Sequence, residues 1–70
     1  MSETSIGARV RTAREKTGLS REHIAFWVGI STSTITRLEN ESRVPTGDTM
    51  RRIADCIGVT VDELLGQDAS

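Results

Sequence analysis

The sequence is poor in aromatic residues, with one phenylalanine, one tryptophan and no tyrosine, and it has one cysteine, one histidine and one proline. Each scarcity excludes something. A single cysteine, Cys56, forbids an intrachain disulfide. With His23 as the lone histidine, it cannot make a four-ligand zinc site of the usual Cys/His kind. No metal and no cofactor are expected. No apolar run approaches the roughly 20 residues of a membrane span, and Met1-Ser-Glu-Thr has no signal-sequence character. The expectation is a reduced, cytoplasmic protein with no membrane contact. No acid–base, metal or nucleophile constellation is present either, so an enzyme is not expected.

What remains is one small domain of 70 residues. Chains of this size bury only about 60 % of the surface they expose when unfolded, so helix packing must supply the stability. The net charge of −1 is unlike the basic balance usual in nucleic-acid binders. Its distribution is uneven. Residues 9–37 hold Arg9, Arg11, Arg14, Lys16, Arg21 and Arg37 against Glu15 and Glu22, whereas residues 48–70 hold two arginines against five acids. Eight of the nine basic residues are arginine, the side chain best suited to bidentate contacts with phosphate and guanine.

Punctuation divides the chain into short helices. Ile6, Val10, Ala13 and Thr17 fall at helical spacing after Thr4 and Ser5, either of which can cap the start, and Gly18 closes the end. Ser20 caps a second helix with Ile24 and Val28 on its apolar stripe, stopped by Gly29. Ser31 caps a third with Ile35 and Leu38 inward. Asn40 to Pro45 reads as a loop. Thr46 caps a fourth, with Met50, Ile53, Ala54 and Ile57 on one face. Thr60 and Glu63 form a capping box for a last turn carrying Leu64 and Leu65. No segment alternates like a strand, and none is long enough to be a stable helix alone. The expected fold is all-α: a compact five-helix bundle over residues 1–66, followed by a disordered tail over 67–70.

The segment from Arg21 to Asn40 is the informative one. Two helices joined by a tight turn and packed near perpendicular need a small residue where they cross, a glycine at the turn and apolar residues in the angle between them. Ala25, Gly29 and the set Ile24, Val28, Ile30, Ile35 and Leu38 meet these demands. The chain resembles the helix-turn-helix of the lambda-repressor-like (Cro/C1, XRE-family) DNA-binding proteins. The likeness extends to Ile6-Gly7-x-x-Val10-Arg11-x-x-Arg14, Gly18-Leu19-Ser20, Pro45-Thr46 and Ile57-Gly58-Val59-Thr60-x-x-Glu63-Leu64-Leu65, so it covers roughly residues 5 to 66.

That resemblance implies a third helix, from about Thr32 to Glu39, lying in the major groove. Helical geometry points Ser33, Thr36, Arg37 and Asn40 outward. The family's pattern makes Thr32, Ser33 and Arg37 base readers, with Thr36 beside them. Arg37 can take guanine O6 and N7 together; short hydroxyls bond to almost any base or to phosphate. Many relatives carry glutamine where this chain has Arg21, Thr32 and Ser33, so the target sequence does not carry over. Phosphate contacts are expected from Arg21 and Ser31 at helix N-termini, and from Asn40 and Arg43 past the third helix. Arg9 and Arg11 are peripheral or simply solvated. The family joins the positions of Arg14 and Glu39 by a buried ion pair, which makes both architectural. His23 reads as a surface residue and Cys56 as a small semi-buried one.

Phe26 and Trp27 are the anomaly. Phe26 projects away from the buried side of the second helix and Trp27 lies on its flank, where relatives have polar residues. A hydrophobic protein contact is the favoured reading. The functional expectation is a sequence-specific double-stranded-DNA-binding transcriptional regulator, a repressor above all. It would act as a homodimer on a pseudo-palindromic operator with half-sites about 34 Å apart. The dimer contact could use the fifth helix or the Phe26/Trp27 surface. The alternative is a helix-turn-helix protein acting mainly as an interaction module, an antirepressor or antitoxin that binds a second protein through Phe26 and Trp27.

Overall fold

A computed structural model of the chain describes residues 5–66. The expected tail over 67–70 lies outside the described residues, as does Thr4. Five helices follow one another: α1 (Ile6–Thr17), α2 (Arg21–Val28), α3 (Thr32–Glu41), α4 (Gly47–Ile57) and α5 (Val61–Leu65). Each begins at a hydroxyl residue. The side chains of Ser5, Ser20, Ser31, Thr46 and Thr60 accept from the backbone N–H three residues on, at 3.0–3.5 Å. Such caps contribute about 1 kcal/mol apiece, which matters for helices this short.

The core gathers one or more residues from every helix: Val10 from α1, Ile24 and Val28 from α2, Ile35 and Leu38 from α3, Met50, Ile53 and Ile57 from α4, and Leu64 from α5. Ile30 is half-buried against it. Neither aromatic ring contributes. Among the described residues the backbone of α3 comes close to those of α1 and α2 and not to those of α4 or α5, so a broad side of α3 stays open.

Two sequence expectations need adjustment. α3 ends at Glu41 rather than Glu39, which places Asn40 inside the helix and not in a loop. Pro45 restricts only the residue just before it; the stop comes instead from Ser42, whose φ of 53° is left-handed. Leu65 is 44 % exposed, because a helix of little more than one turn can aim only one of two adjacent leucines at the core, and Leu64 takes that place.

At Gly7 the backbones of α1 and α3 approach closely. A Cβ there would collide with the carbonyl oxygens of Leu38 and Glu39, and the Gly7 N–H donates to Ser42 Oγ at 3.2 Å. This contact docks the start of α1 on the end of α3.

Candidate nucleic-acid interface

The α2–α3 corner is set by Gly29, whose φ of 83° lets the chain turn sharply, and by Ala25, buried where the helices cross. Ser31 then starts α3: its Oγ accepts from Thr34 N–H at 3.3 Å and bonds Thr34 Oγ1 at 3.0 Å. That hydroxyl is engaged in the cap. What this terminus offers an anion is its outward backbone N–H groups.

From there the 100° step divides α3. Ile35, Leu38 and Glu39 are buried. Thr32, Ser33, Thr36 and Arg37 line one shallow open surface, and Glu41 joins them at its far end. Ser33 and Arg37 are exposed, Thr32 and Thr36 half-buried. The short hydroxyls leave Arg37 standing as the one long side chain in this group of four.

Behind that strip lies a cluster of three charges. Arg14 on α1 donates from Nε to Glu39 Oε2 at 2.6 Å and from Nη2 to Oε1 at 3.1 Å. Its Nη1 donates to the carbonyl of Leu19 at 3.0 Å, tying the lead-in of α2 to the same point. Arg21 adds Nε to Glu39 Oε1 at 3.0 Å. The Glu39 side chain is fully buried and that of Arg14 nearly so, whereas Arg21 stays about one-third exposed. Burial pushes the Glu39 carboxyl upward, but the hydrogen bonds from Arg14 and Arg21 and their charges outweigh it and hold the group below the ordinary carboxylate range. The hydrogen bond to Glu39 in turn raises Arg14. No buried side-chain nitrogen or oxygen among the described residues lacks a partner.

Sequence reasoning paired Arg14 with Glu39 and assigned Arg21 elsewhere. The missed signal is the capacity of the carboxylate: two oxygens can take several N–H donors, and one buried acid can serve two arginines. Glu41 was missed as well. It lines the same open strip and pairs only loosely with Arg43, at 3.9 Å on the surface. Asn40 and Arg43 are both exposed.

Arg11 pairs with Glu15 on the surface at 3.3 Å. Arg9 lies over Gly66 at the end of α5. Cys56 is half-buried, and burial pushes its thiol up, the opposite of what a reactive thiolate needs. No group of His, Cys, Asp or Glu among the described residues is arranged to hold a metal ion. No helix among them is long and apolar enough to cross a membrane.

A sharp α2–α3 corner with an exposed second helix suits the sequence pattern, and a family model decides the matter: the model described as "Helix-turn-helix domain" matches residues 5–65. The chain belongs to the helix-turn-helix domain family. Its architecture is of the lambda-repressor-like, Cro/C1 type. The domain is 31 % identical over 64 residues to the HTH-type transcriptional regulator ImmR of Bacillus subtilis (strain 168), a match covering 91 % of this chain and 50 % of ImmR. The domain thus spans half the length of that relative. It superposes on the P22 c2 repressor, solved in complex with a synthetic operator, with a TM-score of 0.87 at 24 % identity over 94 % of this chain and 100 % of the other; at that identity the likeness speaks for the fold. The biofilm master regulator SinR, solved in complex with DNA, matches with a TM-score of 0.77 and 26 % identity, covering 86 % of this chain and 97 % of SinR's.

Proposed function

We propose that this helix-turn-helix domain is a sequence-specific double-stranded-DNA-binding transcriptional regulator, acting as a repressor that places α3 in the major groove of a pseudo-palindromic operator. The observation that carries the reading is the strip of Thr32, Ser33, Thr36 and Arg37 on the open side of α3, braced from behind by α1 and α2. In this reading Arg37 takes a guanine edge, worth about 1–3 kcal/mol of discrimination. The three hydroxyl residues supply shorter contacts to bases or phosphate, and the methyls of Thr32 and Thr36 can pack on thymine.

The backbone of the DNA is met by Arg21, by the start of α3 after Ser31, and by Asn40 and Arg43. Arg21 suits a double role. Its Nε is held by Glu39, which fixes the guanidinium so that its Nη side can turn to a phosphate. Two copies bind as a homodimer on the operator, each filling one half-site. No step of chemistry is part of this role, and its place is the cytoplasm, at the nucleoid.

A second reading, an interaction module in which DNA contact is feeble, is favoured by the net charge of −1, the short side chains of Thr32, Ser33 and Thr36, and the exposure of Phe26 and Trp27. Salt separates the two. Selection from a random duplex library, followed by titration of the preferred site at two salt concentrations, should yield a two-fold-symmetric motif with G at matching half-site positions. Binding to it should weaken steeply as salt rises, since each neutralised phosphate adds to the slope. Absence of any enriched motif at low salt would sink the operator reading.

A further inference from the structure

The largest feature left unused is the outer side of α2. Phe26 is 82 % and Trp27 68 % exposed, with their rings edge to face at 6.4 Å, and Trp27 also tilts toward His23 at 6.1 Å. Beside them an open groove of about 700 Å³ runs between α2 and α4, floored by Leu19, Val28 and Cys56 and rimmed by Arg52 and Asp55. We propose that this surface is a self-association site whose occupant is a second copy of the same chain.

Three observations commit it to that occupant. The first is shape: an aromatic projection stands next to an apolar groove on one face. In a two-fold contact whatever one copy offers the other receives in return, so Phe26 of each copy can enter the groove of its mate. The second is charge. A rim of one sign would call for a partner of the other; this rim carries both, Arg52 and Asp55, and a two-fold axis sets Asp55 of one copy against Arg52 of the other. Arg52 reaches Asp48 at 3.2 Å in a surface pair, a weak tie in water. Asp55 has no ion-pair partner among the described residues.

The third is area. Two large rings bury roughly 150–250 Å² each. With both copies counted, the rings alone bring the contact to at most about 600–1,000 Å², below the usual range of stable specific interfaces and within that of weak, transient ones. The association is therefore weak and reversible. The surface shares no residue with the strip on α3, so both can be occupied together, and copies already brought close on DNA would associate at high effective concentration.

The chain carries its own reporter, because Trp27 is its only tryptophan and it has no tyrosine. Sedimentation equilibrium from low micromolar to near-millimolar protein should show the mass rising toward a dimer. Over the same range the Trp27 emission should move to the blue. Phe26→Ser keeps the reporter and the core, and should weaken association about tenfold or more. Arg52→Asp and Asp55→Arg should each weaken it, and the two together should restore it; melts by circular dichroism confirm that each variant is folded.

A chain that stays monomeric throughout the range, or a Phe26→Ser variant that associates like the parent, overturns the proposal, the latter by placing the contact elsewhere. Failure of the double charge reversal to restore association overturns the two-fold pairing. Phe26→Ser should bind a single half-site as the parent does. Absence of DNA binding in the parent itself would count against the regulator reading and leave this result intact.

Discussion

The two sides of α3 are built from different chemistry. Inward are two aliphatic side chains and a fully buried carboxylate clamped by two arginines; outward are three hydroxyls and a free-standing arginine. Arg37, Leu38 and Glu39 are consecutive, yet the first faces the open strip and the other two belong to the interior. One helix therefore carries two almost independent sets of instructions, one for folding and one for what its open side presents. Substitutions that look equally severe in the sequence should act on different measurements.

The largest effect should come from the inward side. Arg14→Ala strips Glu39 of two of its three donors and leaves a buried charge short of partners, at a cost of about 3–5 kcal/mol, read by urea unfolding. Loss of DNA binding in that variant would follow from loss of fold. The same cluster predicts an acid limb. The Glu39 pKa is lower in the folded chain than in the unfolded one, so its contribution is complete above the ordinary carboxylate range and is lost as pH falls through its depressed folded value. Unfolding followed against pH should show stability declining below about pH 4. Glu39→Gln should be less stable at neutral pH and should lack that part of the decline.

On the outward side the pattern inverts. Arg37→Ala should lower affinity for the preferred site by about 1–3 kcal/mol and relax its choice of base, with the melting temperature nearly unchanged. Equal affinity of variant and parent for that site would mean that another side chain reads the groove. The smallest effect is expected from Glu41→Gln. It removes a negative charge at the edge of the strip and releases Arg43 from a loose surface pair, so DNA affinity should rise by less than about tenfold, with no change in unfolding.

The five helices and their caps were legible because hydroxyl residues, glycines and apolar spacing are local signals. Ser20, Ser31 and Thr46 announce helices whichever neighbours they later meet. The open strip on α3 was legible for a related reason: once Ile35 and Leu38 face inward, helical geometry sends Ser33 and Arg37 outward. The rest depended on distance in space. Nothing near Arg21 in the chain says that Glu39, eighteen residues on, will take its Nε. Nothing near Ser42 says that its hydroxyl will receive the N–H of Gly7. The end of α3 was misjudged because Pro45 was given a reach it does not have, and a left-handed serine leaves no mark in composition.

The docking of α1 on α3 has an electrostatic consequence. A helix carries partial positive charge at its start and partial negative charge at its end, the latter on its last carbonyl groups. Two of those carbonyls in α3, from Leu38 and Glu39, lie against the first turn of α1 at Gly7. The positive pole of one helix thus covers the negative pole of the other. A polyanion approaching α3 meets its attractive end uncovered and its repulsive end already neutralised in part, before any side chain moves.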